Sequence, residues 1–85
     1  MRSNSRDVPI LLPDLGVGDQ PVRLGQWLVE SGDHVMEHDR VLEVLVSGIL
    51  FYVASPAEGI LRRTIDHEGA RLSAGETLGF VDPVE

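Results

Sequence analysis

The sequence predicts an all-β domain, a sandwich or barrel assembled from two similar halves. Three observations carry this. Short β-rich runs alternate with turn residues every several positions, and no useful window spaces its apolar residues as a helix would. A segment near the middle repeats near the end. The chain has 85 residues, which is the size of one domain.

The first residues, MRSNSRD, carry no apolar stretch, so they read as a disordered tail over 1–7 rather than a secretory signal. The domain is expected over 8–84. Strands are expected near 8–12, 22–29, 34–36, 40–46, 49–54, 59–66, 71–73 and 77–82. Each is separated from the next by turn chemistry: Pro13-Asp14 and Gly16 to Pro21, Ser31-Gly32-Asp33, Ser47-Gly48, Ser55-Pro56, Glu68-Gly69 and Ala74-Gly75.

The repeat appears when SGDHVMEHDRVLEV (31–44) is set over EGARLSAGETLGFV (68–81). Gly32 then falls on Gly69, Val35 on Leu72, Val41 on Leu78 and Val44 on Val81, with Leu28 over Ile65. Each unit is a turn, a short strand and a longer strand, and neither can bury its apolar face alone. The two must close on each other with pseudo-two-fold symmetry.

Residues 42–59, LEVLVSGILFYVASPAEG, read as a hairpin with a two-residue loop at Ser47-Gly48. Pairing outward from the loop sets Val46 against Ile49, Val44 against Phe51 and Leu42 against Val53, an apolar face expected to line the core. The other face pairs Leu45 with Leu50, Glu43 with Tyr52 and Val41 with Ala54. Glycine at 48 tolerates a positive φ, so type I′ and type II turns both remain open.

Composition narrows the function. The formal net charge is -7, which would repel nucleic acid and anionic membranes, so neither is an expected partner. No apolar run approaches the ~20 residues of a membrane helix. There is no cysteine, so disulfides and thiolate metal sites are ruled out, and a reducing, cytoplasmic location is compatible. All seven positively charged residues are arginines; the chain has no lysine.

The pieces LPDLGVG (12–18), QWLVESGDHV (26–35), VLEV (41–44), SPAEGIL (55–61) and EGARLSAGETLGFV (68–81) resemble a lipoyl domain. The type is that of dihydrolipoyl acyltransferases of 2-oxo-acid dehydrogenase complexes. The resemblance runs over residues 8–82 without large gaps. It implies a flattened barrel-sandwich hybrid of two four-stranded antiparallel sheets, a fold that biotinyl domains share.

In that family the hairpin tip reads Asp-Lys-Ala, and the lysine amine carries lipoate in amide linkage as a swinging arm. By the resemblance Ser47 stands at the aspartate, Gly48 at the lysine and Ile49 at the alanine. Attachment of lipoate or biotin needs a primary amine, and glycine has none, so no cofactor is expected on this chain. Other departures cluster nearby: Val17 and Pro21 stand where acidic residues are usual, and Leu45 and Val46 where polar ones are. The resemblance therefore implies a lipoyl-like domain that lacks its attachment residue, a non-catalytic structural or protein-interaction module. Two alternatives are a carrier domain of an acyltransferase with an altered tip, and an unmodified hairpin module of an adaptor protein. Adaptor modules usually insert a long helical hairpin where two residues join the strands here.

Other motifs point to ordinary surface chemistry. HVMEH (34–38) spells a zinc-peptidase pattern, but that chemistry needs both histidines one turn apart on a helix, and this string leads into a strand, so no metal site is expected. Gly16-Val17-Gly18 lacks the third glycine of a dinucleotide loop, and Pro21 blocks the helix that would follow. Trp27 is expected to be semi-buried packing. Ser47 has no base near it in sequence, so no catalytic residue is assigned.

What remains is the cluster of Leu45, Val46, Ile49 and Leu50 at an exposed tip. Either Val46 and Ile49 cap the core and Leu45–Leu50 is one exposed pair, or the four form a sticky end that meets a protein partner or a second copy. Burying ~150 Å² of apolar area at the Leu45–Leu50 pair would yield roughly 4 kcal/mol before association costs, enough to contribute to an interface but not to make one.

Overall fold

The computed structural model describes residues 6–83 as eight strands. They are β1 (Val8–Leu11), β2 (Val22–Trp27), β3 (His34–Val35), β4 (Arg40–Val46), β5 (Ile49–Ala54), β6 (Gly59–Arg63), β7 (Arg71–Leu72) and β8 (Thr77–Pro83). Two four-stranded antiparallel sheets form, ordered β1-β8-β6-β3 and β5-β4-β2-β7. This is the barrel-sandwich that the resemblance implied. Residues 1–5 of the expected tail lie outside the described residues; Asp7 carries an ion pair, 3.0 Å from Arg62.

Alternation along the strands builds the core. In β4, Leu42, Val44 and Val46 turn inward, and in β8 Leu78 and Val81 do the same. Together with Ile10, Leu12, Leu24, Val35, Val41, Val53, Leu61 and Leu72 they fill the space between the sheets, all nearly inaccessible to water. Apolar burial of this kind is the main force that closes two sheets face to face.

The repeat is present in the hydrogen bonds. Gly32 donates to the Leu61 carbonyl and Gly69 to the Leu24 carbonyl, both at 2.8 Å. Leu61 donates to Asp33 O at 2.9 Å, and Leu24 to Ala70 O at 2.8 Å. Each half therefore satisfies the backbone of the other, and the bonds exchange under the Gly32-to-Gly69 spacing. The loops before β4 and β8 are locked alike: Asp39 Oδ2 accepts from Met36 N and Glu76 Oε1 from Ser73 N, both at 2.8 Å. The symmetry exchanges β4 with β8, β2 with β6, β3 with β7 and β5 with β1.

The hairpin register agrees with the sequence reading at five pairs: Val46↔Ile49, Leu45↔Leu50, Val44↔Phe51, Glu43↔Tyr52 and Leu42↔Val53. It fails at the base of the strands. A bulge between Arg40 and Leu42 makes Arg40 the partner of Ala54, and Val41 rotates into the core at 0% exposure. The extra residue lets two consecutive side chains, Val41 and Leu42, both point inward.

Candidate functional site

The tip of the β4–β5 hairpin is built from the loop outward. Ser47 and Gly48 have φ of 49° and 79°. A type II turn allows a positive φ only at its second central residue, so Ser47 selects type I′, whose twist matches that of the flanking strands. A non-glycine residue in this region is strained. The Ser47 Oγ donates a 2.7 Å hydrogen bond to Gln20 Oε1, tying the tip to the loop between β1 and β2. Gln20 is itself held, its backbone and side-chain nitrogens both reaching the Val17 carbonyl.

Around Gly48 there is open space: a Cβ placed there would meet nothing within 4 Å. A side chain at this position would project into solvent from a fixed turn. Ser47 is not set up as a nucleophile, since the amide oxygen it bonds cannot take its proton.

The flanking residues divide. Leu45 is 38% exposed, Leu50 42% and Ile49 60%, so these three form an apolar surface beside the tip. Val46 does not belong to it. At 2% exposure Val46 is a core residue, because inward alternation from Leu42 and Val44 carries it under the sheet. Ile49 departs the other way. Its register places it with the inward face, but it starts an edge strand at the open end of the sandwich, where nothing covers it. Tyr52, 44% exposed, extends the surface along β5 beneath the Arg40 guanidinium, which lies 4.4 Å from its ring centre.

A groove of about 640 Å³ runs beside the tip across the outer face of β2 and β4. Arg23, Gln26 and Glu43 line it, and Gly25 lowers its floor. Arg23 Nη1 is committed to the Gly69 carbonyl at 3.0 Å, and Gln26 Nε2 to Glu43 Oε1 at 3.3 Å. The reading from sequence missed this groove, which passes over the bulge between Leu24 and Gln26, a feature that no pattern announces.

The other motifs fall apart spatially. Only His34 and Val35 of HVMEH form a strand, and His38 sits at φ 78° in the following turn. His34 Nε2 meets Glu58 Oε2 at 3.0 Å, while His38 faces Glu37 at 3.5 Å, so the two rings have different partners. Gly16 and Gly18 take positive φ in a loop without a helix after it. Val17 of that loop packs against the core, whereas Pro21 is exposed at the groove. Trp27 is half-buried and donates its indole N–H to the Ile65 carbonyl.

Two sheets of this topology, a pseudo-two-fold and a two-residue hairpin held at one end define a domain of the lipoyl- and biotin-attachment class. Comparison with known proteins agrees: residues 8–81 match the family described as biotin-requiring enzyme, and the chain belongs to this biotin/lipoyl family. It is 28% identical over 78 residues to the dihydrolipoyllysine-residue succinyltransferase component of the 2-oxoglutarate dehydrogenase complex of Rickettsia bellii, covering 92% of this chain and 20% of that protein. It is 31% identical over 72 residues to the acetyltransferase component of the acetoin cleaving system of Pseudomonas putida, covering 85% and 20%. A third relative is the acetyltransferase component of the pyruvate dehydrogenase complex of Staphylococcus aureus, 28% identical over 71 residues and covering 84% and 16%. The chain thus spans about a fifth of the length of these relatives.

Proposed function

We propose that this domain is a lipoyl-like module without an attached cofactor, acting as a non-catalytic structural or protein-interaction part of a larger assembly. The observation that carries the reading is the tip. The hairpin is intact, by the resemblance Ser47-Gly48 stands where the family has its modified residue, and the chain contains no lysine. Lipoate and biotin ligases form an amide on a side-chain primary amine, and none exists to accept it. The relatives' membership of multienzyme complexes supports a role in an assembly. The exposed Leu45, Ile49 and Leu50 supply the contact surface, and a cytoplasmic setting goes with that role.

The test is mass. Co-expressed with lipoate ligase or biotin ligase, the chain should keep the mass its sequence gives. A lipoyl or biotinyl adduct on a side chain would refute the reading.

A second reading has one observation in its favour. The open space at Gly48 and the fixed turn beneath it are what a carrier would need to display a lysine, so a carrier with an altered tip is the alternative. Gly48→Lys decides how much of that role survives. Ligase-dependent gain of one adduct would show that only the amine is missing, whereas no gain would show that the ligase-facing surface has changed as well.

A further inference from the structure

Among the described residues, three of the four sheet edges are guarded against pairing with another chain. β3 and β7 are two residues each, too short to serve as templates. β1 carries Pro9, which has no amide hydrogen to offer. The fourth edge is β5, ILFYVA, six residues without a proline or a charge.

The pseudo-symmetry sharpens the contrast. Pro9 pairs with Phe80 and Tyr52 pairs with Glu43. Glu43 and Phe80 stand at the repeat spacing, so Tyr52 occupies in one half the position that proline guards in the other. In a ladder closed by a two-residue loop, the loop-flanking pair, Val46 and Ile49, is hydrogen-bonded and the pairs alternate from there. Leu50 and Tyr52 therefore turn their N–H and C=O groups away from β4, toward the open edge. Their side chains are exposed as well.

We propose that β5 is a strand-pairing edge and that its occupant is β5 of a second copy, antiparallel about a two-fold axis at Phe51. This rests on the reading of the domain as an interaction module and names the contact. To continue one sheet, residues with outward-pointing backbone groups must meet each other. The register with Phe51 on the axis does this, setting Leu50 opposite Tyr52 of the second copy and Tyr52 opposite its Leu50. Leu45 lies beside Leu50 on β4. The two copies then join Leu45, Leu50 and Tyr52 from each side across the seam, apolar at the leucines, with Arg40 over each Tyr52 ring and Glu43 beside it.

The self-matching register about Phe51 and the uncharged strand choose the occupant, and area sets how tightly it is held. Six residues give about 20 Å of edge and a sheet is about 10 Å thick, so contact covers on the order of 200–400 Å² per copy. A stable complex needs about 800 Å² per partner. The contact is therefore weak and concentration-dependent. Within β5 there is no charge by which a different partner could be selected. The net charge of -7 on each copy opposes approach, and salt screens it within about 8 Å at physiological ionic strength. Pairing should thus strengthen as salt rises.

The experiment is sedimentation equilibrium with amide-exchange NMR, run up to about 1 mM protein at low and high NaCl. Wild type should dimerise with a dissociation constant on the order of 0.1–1 mM, tighten with salt, and slow exchange at Leu50 and Tyr52. Tyr52→Pro copies the guard of β1 and should weaken dimerisation at least tenfold. Leu50→Lys keeps the N–H, adds a charge and should do the same with little change in melting temperature; it decides the matter if Tyr52→Pro fails to fold. A strict monomer at the highest concentration in both salts would overturn the inference. So would a dimer weakened by Gly48→Asp but not by Leu50→Lys, which would place the contact at the tip and keep the interaction-module reading. Association that weakens with salt would equally overturn it, since attraction between charges would then be the driving force. None of these outcomes alters the ligase mass readout, so the two ideas fail separately.

Discussion

Gly48 gives the sharpest test of the tip geometry, because two opposing effects set the sign of its substitutions. Replacing glycine with alanine reduces the freedom of the unfolded chain and stabilises by about 0.4–1 kcal/mol wherever the native φ suits alanine. At φ 79° it does not suit: the left-handed region costs an L-residue about 1–2 kcal/mol. Steric clash contributes nothing, since a Cβ at 48 has no neighbour within 4 Å. The net expectation for Gly48→Ala or Gly48→Lys is a loss of about 0.5–1 kcal/mol, or roughly 3–6 °C in melting temperature for a domain of this size. Asparagine tolerates this region better, so Gly48→Asn should cost less, and Gly48→Val, β-branched, should cost more. Thermal and urea unfolding followed by circular dichroism, at low protein concentration, measures the series. Should Gly48→Ala match or exceed wild type in stability, residue 48 has a negative φ and the type I′ assignment is wrong.

Other substitutions probe the barrel. Val44→Asp puts a carboxylate at a site with 0% exposure, between Leu24 and Phe51 on the neighbouring strands. Against a total stability of about 4–13 kcal/mol for this length it should unfold the domain, which an NMR spectrum without dispersion would show. Gly59→Ala would set a Cβ 2.2 Å from the Asp82 carbonyl oxygen, forcing β6 and β8 apart at a cost of about 1–3 kcal/mol in urea unfolding. His38→Gly should raise stability by about 0.5 kcal/mol in the same assay, because His38 at φ 78° occupies the turn position where the other half has Gly75 at φ 82°.

Much of the barrel was legible in the residues because period-two alternation and turn chemistry are strong local signals. The hairpin pairs from Val46↔Ile49 to Leu42↔Val53 follow from counting outward from one loop. What was not legible required a partner to be present. The bulge at Val41 has no sequence mark; it exists because both Val41 and Leu42 find room inside. Val46 and Ile49 are equally apolar, and only their places in the sandwich separate them. Val46 lies under its own sheet with Val22 beside it on β2, while Ile49 begins a strand with nothing on its far side. Gly59 and Gly79 fell inside the expected strands 59–66 and 77–82 with nothing to set them apart, yet each marks a close approach; at Gly79 a Cβ would lie 2.6 Å from the Arg62 carbonyl oxygen. Ser47's bond to Gln20 spans two loops, which no spacing in the chain announces.

The two halves are most informative where they stop matching. Gly32 and Gly69, Val35 and Leu72, and the carboxylates of Asp39 and Glu76 hold the same places because closing the barrel demands them twice. A requirement of folding applies to both copies of a repeat. A residue that appears in one copy alone answers to something else, or to nothing. Pro9 against Tyr52 is such a mismatch, and so is Gly75 against His38. At Pro9 the half with β1 and β8 closes its edge; at Tyr52 the half with the β4–β5 hairpin leaves its edge open, beside the apolar tip. Exposed apolar edges promote misassembly unless they are used. An open edge and exposed leucines therefore meet in one half alone, and the proposed pairing edge accounts for a difference that closing the barrel does not require.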